Sequence, residues 1–216
     1  NNEWETAKHL NTLPQETIDR MAEVYTEGYR KGFELAGIDL SKKSVVNVRY
    51  QLGFERVIRK AIENFAAMGL RPSIYRATVS AVIKKGQQRI GFCGGIPNKQ
   101  YEYDHRADQG LFLDKKFIER KLDVMKNTYE QHKELASSFA GPAVMEVFGG
   151  EPFAPIQKPE AIALSEKQEQ LSVLYDSKAG QLTNQYIKGD ERSFTIVAYP
   201  VPEIGEKYPD IFNEII

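Results

Sequence analysis

Apolar positions follow two different spacings along this chain. In long segments they recur every three to four residues, which predicts amphipathic helices. In shorter segments they form runs of β-branched and aromatic residues, which predicts buried strands. The predicted helices cover residues 14–36, 54–68, 115–137, 165–187 and 209–216, and the predicted strands cover 45–50, 73–77, 143–148 and 194–199.

Local signals indicate where the helices begin and end. Thr12 is the expected N-cap of the first helix and Gly37 its stop, and Asp114 is the expected cap of the third. Ser165 and Gln168 have the spacing of a capping box at the start of the fourth. That fourth helix is expected either to continue or to break at a glycine, Gly180, and resume.

The order of these elements predicts the fold class. The strand at 45–50, the following helix and the strand at 73–77 fit within about 30 residues, the length of a βαβ unit with parallel strands. Continued alternation predicts one α/β domain over 1–216, with an open, mostly parallel sheet and helices on both faces, in a Rossmann-like layered arrangement. Residues 1–13 are expected to form a poorly ordered arm.

Three stretches lack a clear period. Residues 81–83 and 89–92 flank a charged turn, which indicates either a hairpin or a short helix followed by a strand. Residues 94–110 are expected to form a long loop, and long loops are often functional. Residues 152–159 are rich in proline and are expected to connect the third strand to the next helix.

Composition excludes several classes of function. The 216 residues carry 29 basic and 30 acidic side chains, a net charge of −1, which does not favour nucleic acid or anionic lipid as a partner. Cys93 is the sole cysteine, which excludes an internal disulfide and fits a reducing compartment. No apolar run reaches bilayer length and no targeting signal is recognisable, so a cytoplasmic protein is expected.

Candidate site residues lie where ligands usually bind to parallel sheets, beyond the carboxyl ends of the strands. Gly149, Gly150 and Glu151 directly follow the third strand, and Gly94–Gly95 follows the run 89–93. Neither place matches a nucleotide-binding fingerprint, so turn formation is the favoured interpretation. The alternative is a free-standing module that binds a small ligand or a nucleotide with these turns.

The richest polar cluster is Tyr101–Asp108, which includes Tyr103 and His105. Its acidic residues and His105 have the chemistry of metal ligands or of an acid–base pair. The spacing fits no named metal motif, so a solvated loop is the ordinary interpretation. Cys93 is interpreted as a small buried residue, since no Cys–His signature surrounds it. No hydrolase motif occurs elsewhere.

Gly28 and Gly32 lie one turn apart on the first predicted helix, which lets another backbone approach closely. Tight packing within this protein is the favoured interpretation. The alternative is a purely structural or interaction domain that uses this helix as its seam.

The segment Gln185–Gly205 resembles the end of the N-terminal domain in the thermophilic metallo-aminopeptidase family, of the aminopeptidase T and S type. It is most similar to the longer clostridial members known as leucyl aminopeptidases. The resemblance implies an α/β N-terminal domain whose early βαβ unit is the strand–helix–strand at 45–77. It implies that the strand leading into Tyr199–Pro200 closes the sheet before the chain crosses to a catalytic domain.

The resemblance also implies a function. The family removes N-terminal residues from peptides with two divalent metal ions held by its later domain. No position of this sequence matches those ligands, so the chain is expected to lack catalytic and metal-binding residues of its own. Residues 200–216 are then a linker and helix leading to that later domain, and the helix at 209–216 lacks a C-cap signal. The alternative is a frayed C-terminal helix that docks on the core.

The remaining expectations concern substrate access and partners. The loops around Tyr103 and His105 and the turn Gly149–Glu151 are expected to border the substrate cleft. The partner is a peptide substrate of the full-length protein, which is expected to form a homodimer, with no nucleic acid and no membrane.

Overall fold

The computed structural model describes residues 2–74 and 98–216, with the backbone alone for residues 92 and 93. The helices are α1 Asn2–Thr12, α2 Gln15–Ala36, α3 Glu55–Ala67, α4 Lys99–Asp104, α5 Lys115–Gln131, α6 Lys133–Ser137, α7 Glu166–Tyr186 and α8 Tyr208–Ile215. The strands are β1 Val45–Gln51, β2 Arg71–Ser73, β3 Phe92–Cys93, β4 Phe139–Phe148 and β5 Thr195–Pro200. Short 3-10 turns occupy Leu40–Lys42, Asp108–Leu111, Gly189–Glu191 and Pro202–Ile204.

These strands form an open sheet in the order β2-β1-β4-β5, with β3 paired to the end of β1, and every pairing is parallel. The chain passes from β1 to β2 in one direction and from β4 to β5 in the opposite direction. Because such crossovers are right-handed, the two directions predict α3 and α7 on opposite sides of the sheet. α3 packs with α2 in the core, whereas α7 packs against α5 and leaves Ile196 of β5 exposed. The predicted α/β layered fold is confirmed, including the parallel βαβ unit at its start.

A single apolar core fills the space between one sheet face and the helices α1, α2, α3 and α8. The apolar stripe predicted for the first helix is buried in it throughout. Its largest fully buried side chains are aromatic and are contributed mainly by the helices: Tyr25, Tyr29, Phe33, Phe54, Phe65 and Phe212. Aromatic side chains bury large apolar areas, so most of the burial that stabilises this fold lies in this layer.

The two glycines of α2 allow close packing within the chain. A Cβ atom at Gly32 would lie 2.5 Å from the Ser193 hydroxyl, and one at Gly28 would lie 3.3 Å from the Thr195 hydroxyl. The α2 helix therefore rests directly on the start of β5, which confirms the interpretation of tight packing. The start of β5 therefore occupies the face of α2 that the alternative assigned to an interaction partner.

Several predicted boundaries are confirmed. Gly37 adopts a left-handed conformation with φ 66° after α2, and the Asp114 side chain caps α5. The capping box of Ser165 and Gln168 is present at the start of α7, which then runs through Gly180 without a break.

Other boundaries differ from the predictions. Pro14, and not Thr12, precedes the first turn of α2, because the Thr12 hydroxyl donates to the carbonyl of His9 in the preceding helix. Residues 2–12 form α1, whose Leu10 lies in the core, where a poorly ordered arm was expected. The long loop expected at 94–110 contains α4.

Some predictions lie outside the described residues. These are the extended structure beyond residue 74, the passage at 81–92, the turn at Gly94–Gly95 and the burial of the Cys93 side chain. Within the part of the chain that the structure describes, no helix combines the length and the apolar character needed to cross a membrane.

Candidate functional site

The candidate residues gather at one edge of the sheet. Because the strands are parallel, the carboxyl ends of β1, β3, β4 and β5 meet at the same edge. The turn Gly149–Glu151 follows β4 there, and α4 follows β3 in the chain. The Lys99 ammonium of α4 donates to the carbonyl oxygen of Glu151 at 3.0 Å, so the two predicted groups are neighbours.

The Gly149–Glu151 segment forms a turn, as predicted. Gly149 has φ 83°, and a Cβ atom there would lie 2.8 Å from the Ile204 side chain. The backbone N–H of Glu151 donates to the Glu203 carboxylate at 2.9 Å. These contacts connect the end of β4 to the segment after β5, so the two glycines serve chain packing at this position.

An extended segment crosses this edge and is held there by side chains of α4. We call residues 151–164 the strap; residues 151–160 are exposed throughout. The Gln100 amide pairs with the main chain of Ile156, accepting from its N–H at 3.0 Å and donating to its carbonyl at 2.8 Å. A side chain thus supplies the two hydrogen bonds that a neighbouring strand would supply.

Tyr103 contacts the strap instead of facing the Gly149 turn. Its hydroxyl donates to Oε1 of Gln157 at 3.1 Å, and the Arg106 guanidinium donates to the same oxygen at 2.9 Å. That guanidinium also lies 3.7 Å from the centre of the Tyr103 ring, a cation–π contact. The Tyr103 side chain therefore positions the strap.

Asp104 forms the charged contact between α4 and the strap. Its carboxylate lies 2.6 Å from the Lys158 ammonium, and it also accepts from Gln100. The hydrogen bond from Lys158, and then that from Gln100, hold the pKa of Asp104 below its usual value against the effect of burial. The ionised side chain of Asp104 is therefore the form that binds Lys158 of the strap.

His105 ends α4 beside a partner carboxylate. Its Nδ1 lies 2.8 Å from Oδ2 of Asp108, and its ring packs against Tyr101 with centroids 4.2 Å apart. The side chain remains 46% exposed. A histidine oriented in this way by a carboxylate can accept or donate a proton through Nε2.

These residues border a cleft between α4 and the strap. It has a volume of about 250 Å³ and is lined by Asp104, His105, Asp108, Lys158, Glu160 and two apolar residues of the strap, Ala161 and Ile162. Three carboxylates and one ammonium group line the cleft, so its acidic groups outnumber its basic one. Its charge favours a small cationic group over an anion.

The donor set does not fit the two-metal centre that the resemblance implies for the later domain. Across residues 2–74 and 98–216 there is no group of three histidine, aspartate, glutamate or cysteine side chains placed to hold an ion. We therefore assign no step of metal chemistry to these residues.

No protein-family model, curated protein or solved structure matches this chain.

The sequence predicted that the candidate residues lie at the carboxyl edge of the sheet, but it did not predict the contacts that hold the strap there. Gln100, Gln157 and Lys158 were not predicted, because their contacts join polar residues more than fifty positions apart that follow no period. The Pro-rich composition of 152–159 was the available signal, and it indicated an extended segment without indicating what holds it.

Proposed function

We propose that this chain is the N-terminal, non-catalytic domain of a metal-dependent aminopeptidase-like protein that removes N-terminal residues from peptides. One observation carries the proposal. The segment Gln185–Gly205, which resembles the end of that domain in the family, forms the end of α7, the outermost strand β5 and the turn after it. The βαβ unit that the resemblance implies is β1–α3–β2.

The acidic cleft gives this domain a role in substrate access. A peptide substrate of an aminopeptidase presents a free α-amino group, which is largely protonated near pH 7. The cleft lined by Asp104, Asp108 and Glu160 attracts such a group. In the proposal the strap and α4 border the path along which the amino end of the peptide approaches a catalytic site elsewhere in the protein.

The decisive experiment compares two proteins. The 216-residue chain is assayed with Zn²⁺, Mn²⁺, Co²⁺ and Mg²⁺ on leucine p-nitroanilide, and we expect no turnover. The same assay is repeated on the protein extended through the reading frame that follows Ile216, where we expect metal-dependent turnover. Robust hydrolysis by the shorter chain would contradict a non-catalytic role, and an extension without spaced glutamate, histidine and aspartate residues would contradict the family assignment.

The role of the cleft is tested separately in the extended protein. Asp108→Asn is expected to raise KM for peptide substrates and leave kcat nearly unchanged, because it weakens attraction without touching the reacting bond. Asp123→Asn, on the exposed side of α5, is the matched control. Equal effects of the two variants would remove the cleft from the substrate path.

Two further parts of the proposal come from the resemblance and the composition. The full-length protein is expected to form a homodimer, which light scattering measures, and to work in the cytoplasm, where its one cysteine stays reduced.

A second function is favoured by the cleft itself. A volume of about 250 Å³ suits an amino acid or a similarly small ligand, so the chain alone can serve as a binding module. Thermal-shift measurements with amino acids, amines and nucleotides test this. A ligand at a concentration of 100 times its Kd stabilises the fold by about 2.7 kcal/mol. No shift with any of them would exclude this function.

A further inference from the structure

His9 lies between the first and last helices of the structure. Its imidazole ring, on α1, contacts the rings of Tyr208 and Phe212 on α8, with centroids 5.1 Å and 4.9 Å apart. Phe212 is fully buried and also stacks on Tyr199 of β5. The neighbouring Leu10 lies in the core. His9 is therefore part of the contact that joins α1 to α8 and to the sheet.

This histidine has a sheltered nitrogen without a partner. Nε2 of His9 is buried and has no hydrogen-bond partner among the described residues. A neutral imidazole tolerates this position, because one of its nitrogens carries no proton and its ring packs as an apolar group. An imidazolium carries a proton on both nitrogens, so it would put a charge and an unpaired N–H against two aromatic rings.

The charged groups around this contact do not compensate such a charge. Arg56 of α3 donates to the carbonyls of Leu10 and Leu13, so one cation approaches the end of α1 that carries His9. Glu203 of the turn before α8 binds the opposite end of α1, with its N–H donating to Asn2. The other charged groups on the two helices are Glu3 in the first turn of α1, Glu5, which pairs with Lys8, and the exposed Asp210 and Glu214.

We propose that His9 is a pH-sensitive latch: its neutral ring holds α1 against α8, and its protonation releases α1. Burial lowers the pKa of the His9 imidazole, which agrees with the geometry. A group whose pKa is lower in the packed state than the usual 6.5 adds stability at high pH. That stability is complete above about pH 6.5 and is lost as the pH falls toward the pKa of the packed state.

Release would change the edge that carries the candidate site. The α1 helix covers the loop after β1, where a Cβ atom at Gly53 would lie 2.8 Å from the carbonyl oxygen of Glu3. Loss of α1 therefore uncovers Gly53 at the carboxyl edge of the sheet and Phe212 beside it. The latch couples the exposure of this edge to pH, independently of the proposed aminopeptidase role.

Hydrogen exchange measures the latch directly. The full chain is followed by mass spectrometry from pH 7.5 to pH 5, with each rate corrected for the intrinsic pH dependence of amide exchange. The opening ratio of α1 is expected to be constant above about pH 6.5 and to rise by up to tenfold per pH unit below it. Peptides from α3 serve as the internal reference and are expected to stay protected.

Three variants isolate His9. His9→Phe keeps an aromatic ring that does not titrate, so α1 should stay protected at pH 5. His9→Gln weakens the packing but also removes the titration, so its opening ratio should be raised and independent of pH. The control His132→Gln removes an exposed histidine and should leave the wild-type profile unchanged.

Two outcomes overturn the proposal. The first is a pH dependence that survives in both His9 variants, since another group would then be titrating. The second is a wild-type protein in which α1 is as well or better protected at pH 5, because cation–π attraction to Tyr208 and Phe212 would then outweigh the cost of burial.

Discussion

The helix pair α2 and α3 and the helix pair α5 and α7 differ in how much they bury. The pair α2 and α3 buries most of its apolar positions, and seven of its aromatic or aliphatic side chains have zero exposure, four in α2 and three in α3. In the second pair, α5 buries only Ile118 and α7 only Ser172. The sequences account for this difference only in part, because apolar residues recur at helical spacing in α2, α3 and α5 but only weakly in α7.

The second pair is held together by contacts of a different kind. Tyr129 of α5 stacks on Tyr186 of α7 with centroids 4.9 Å apart and the rings nearly parallel. The Lys121 ammonium lies 3.9 Å from the centre of the Tyr175 ring. Contacts of these kinds contribute about 0.5–1.5 kcal/mol each. We therefore expect substitutions in the first pair and its strands to unfold the protein and those in the second pair to be tolerated.

The largest contrast is expected between two glycines. Gly141 of β4 has φ 112°, and a Cβ atom there would lie 1.9 Å from the carbonyl oxygen of Ser193. Gly141→Ala should therefore cost about 4 kcal/mol or more in the free energy of unfolding, or prevent folding. Gly180→Ala in α7, where nothing lies within 4 Å, should instead raise it by about 0.5–1 kcal/mol. Urea denaturation measures both.

Similar losses from both substitutions would show that α7 is as constrained as the core. Failure of both variants to differ from the wild type would mean that the close approach of β4 to Ser193 relaxes easily, and the contrast between the two layers would be wrong.

Alkaline pH should weaken the first layer through its tyrosines. Burial raises the pKa of Tyr25 and Tyr29 well above the usual value and raises that of Tyr199 to about 12. Their packing is fully stabilising below pH 10 and is lost as the pH rises toward the raised pKa values. Each costs up to about 1.4 kcal/mol per pH unit above 10. Urea denaturation at pH 9, 10 and 11 should show a steep decline.

Tyr199→Phe should make that decline shallower, because one of the groups that must stay protonated is removed. If this substitution leaves the pH dependence of the unfolding free energy unchanged, the Tyr199 hydroxyl contacts solvent and loses its proton without unfolding of the protein.

Two neighbouring tyrosines of α2 provide a finer test of the core. The Tyr29 hydroxyl donates to the carbonyl of Gly141 at 3.0 Å, whereas the buried Tyr25 hydroxyl has no partner among the described residues. Tyr29→Phe leaves a buried carbonyl without that donor and should cost about 1–2 kcal/mol. Tyr25→Phe removes a buried polar atom that makes no bond and should be neutral or slightly stabilising. Equal costs would contradict this difference.

The sequence predicted elements better where burial decides them. α3 was predicted from an apolar stripe that is buried as expected at Val57, Ile58, Ala61 and Phe65. The run at 194–199 was predicted as a buried strand, but Phe194 is 63% exposed and Ile196 54%, because β5 is the edge strand and one of its faces is open. The α1 helix was missed because its composition is polar, and only Thr6 and Leu10 are buried. The six-residue α4 is too short to show a period, and its N-cap, Asn98, resembles any loop asparagine.

The sequence predicted the edge of the sheet at which the candidate residues lie, but not the contacts between those residues. The carboxyl edge follows from strand order, which the alternation of helices and strands indicates. The attachment of the strap depends on pairs such as Gln100 with Ile156, whose proximity is set by the tertiary fold alone. For the same reason, Gly149 was predicted to form a turn, but its contact with Ile204 was not predicted.

A smaller effect is expected at the start of α7. The Ser165 hydroxyl accepts from the N–H of Gln168, and the Gln168 amide donates to the carbonyl of Gly110 at 2.8 Å. Ser165→Ala removes the cap and should cost about 1 kcal/mol, measured by urea denaturation. Ser165→Asp retains an acceptor at the N-cap and should restore most of the loss. A loss of several kcal/mol would place this helix among the elements that determine the fold.

The smallest global effect is expected where the strap meets α4. Gln100→Ala removes both hydrogen bonds to the main chain of Ile156 but exposes no apolar core, so Tm should change by less than about 2 °C. The strap itself should loosen, because Phe153 is already 42% exposed and the segment lies in no sheet. Chymotryptic cleavage after Phe153 should become several-fold faster in Gln100→Ala, while Gln131→Ala on exposed α5 should leave it unchanged. Faster cleavage accompanied by a large fall in Tm would mean that the strap belongs to the stable core, and the contrast between the two regions would have to be redrawn to include it.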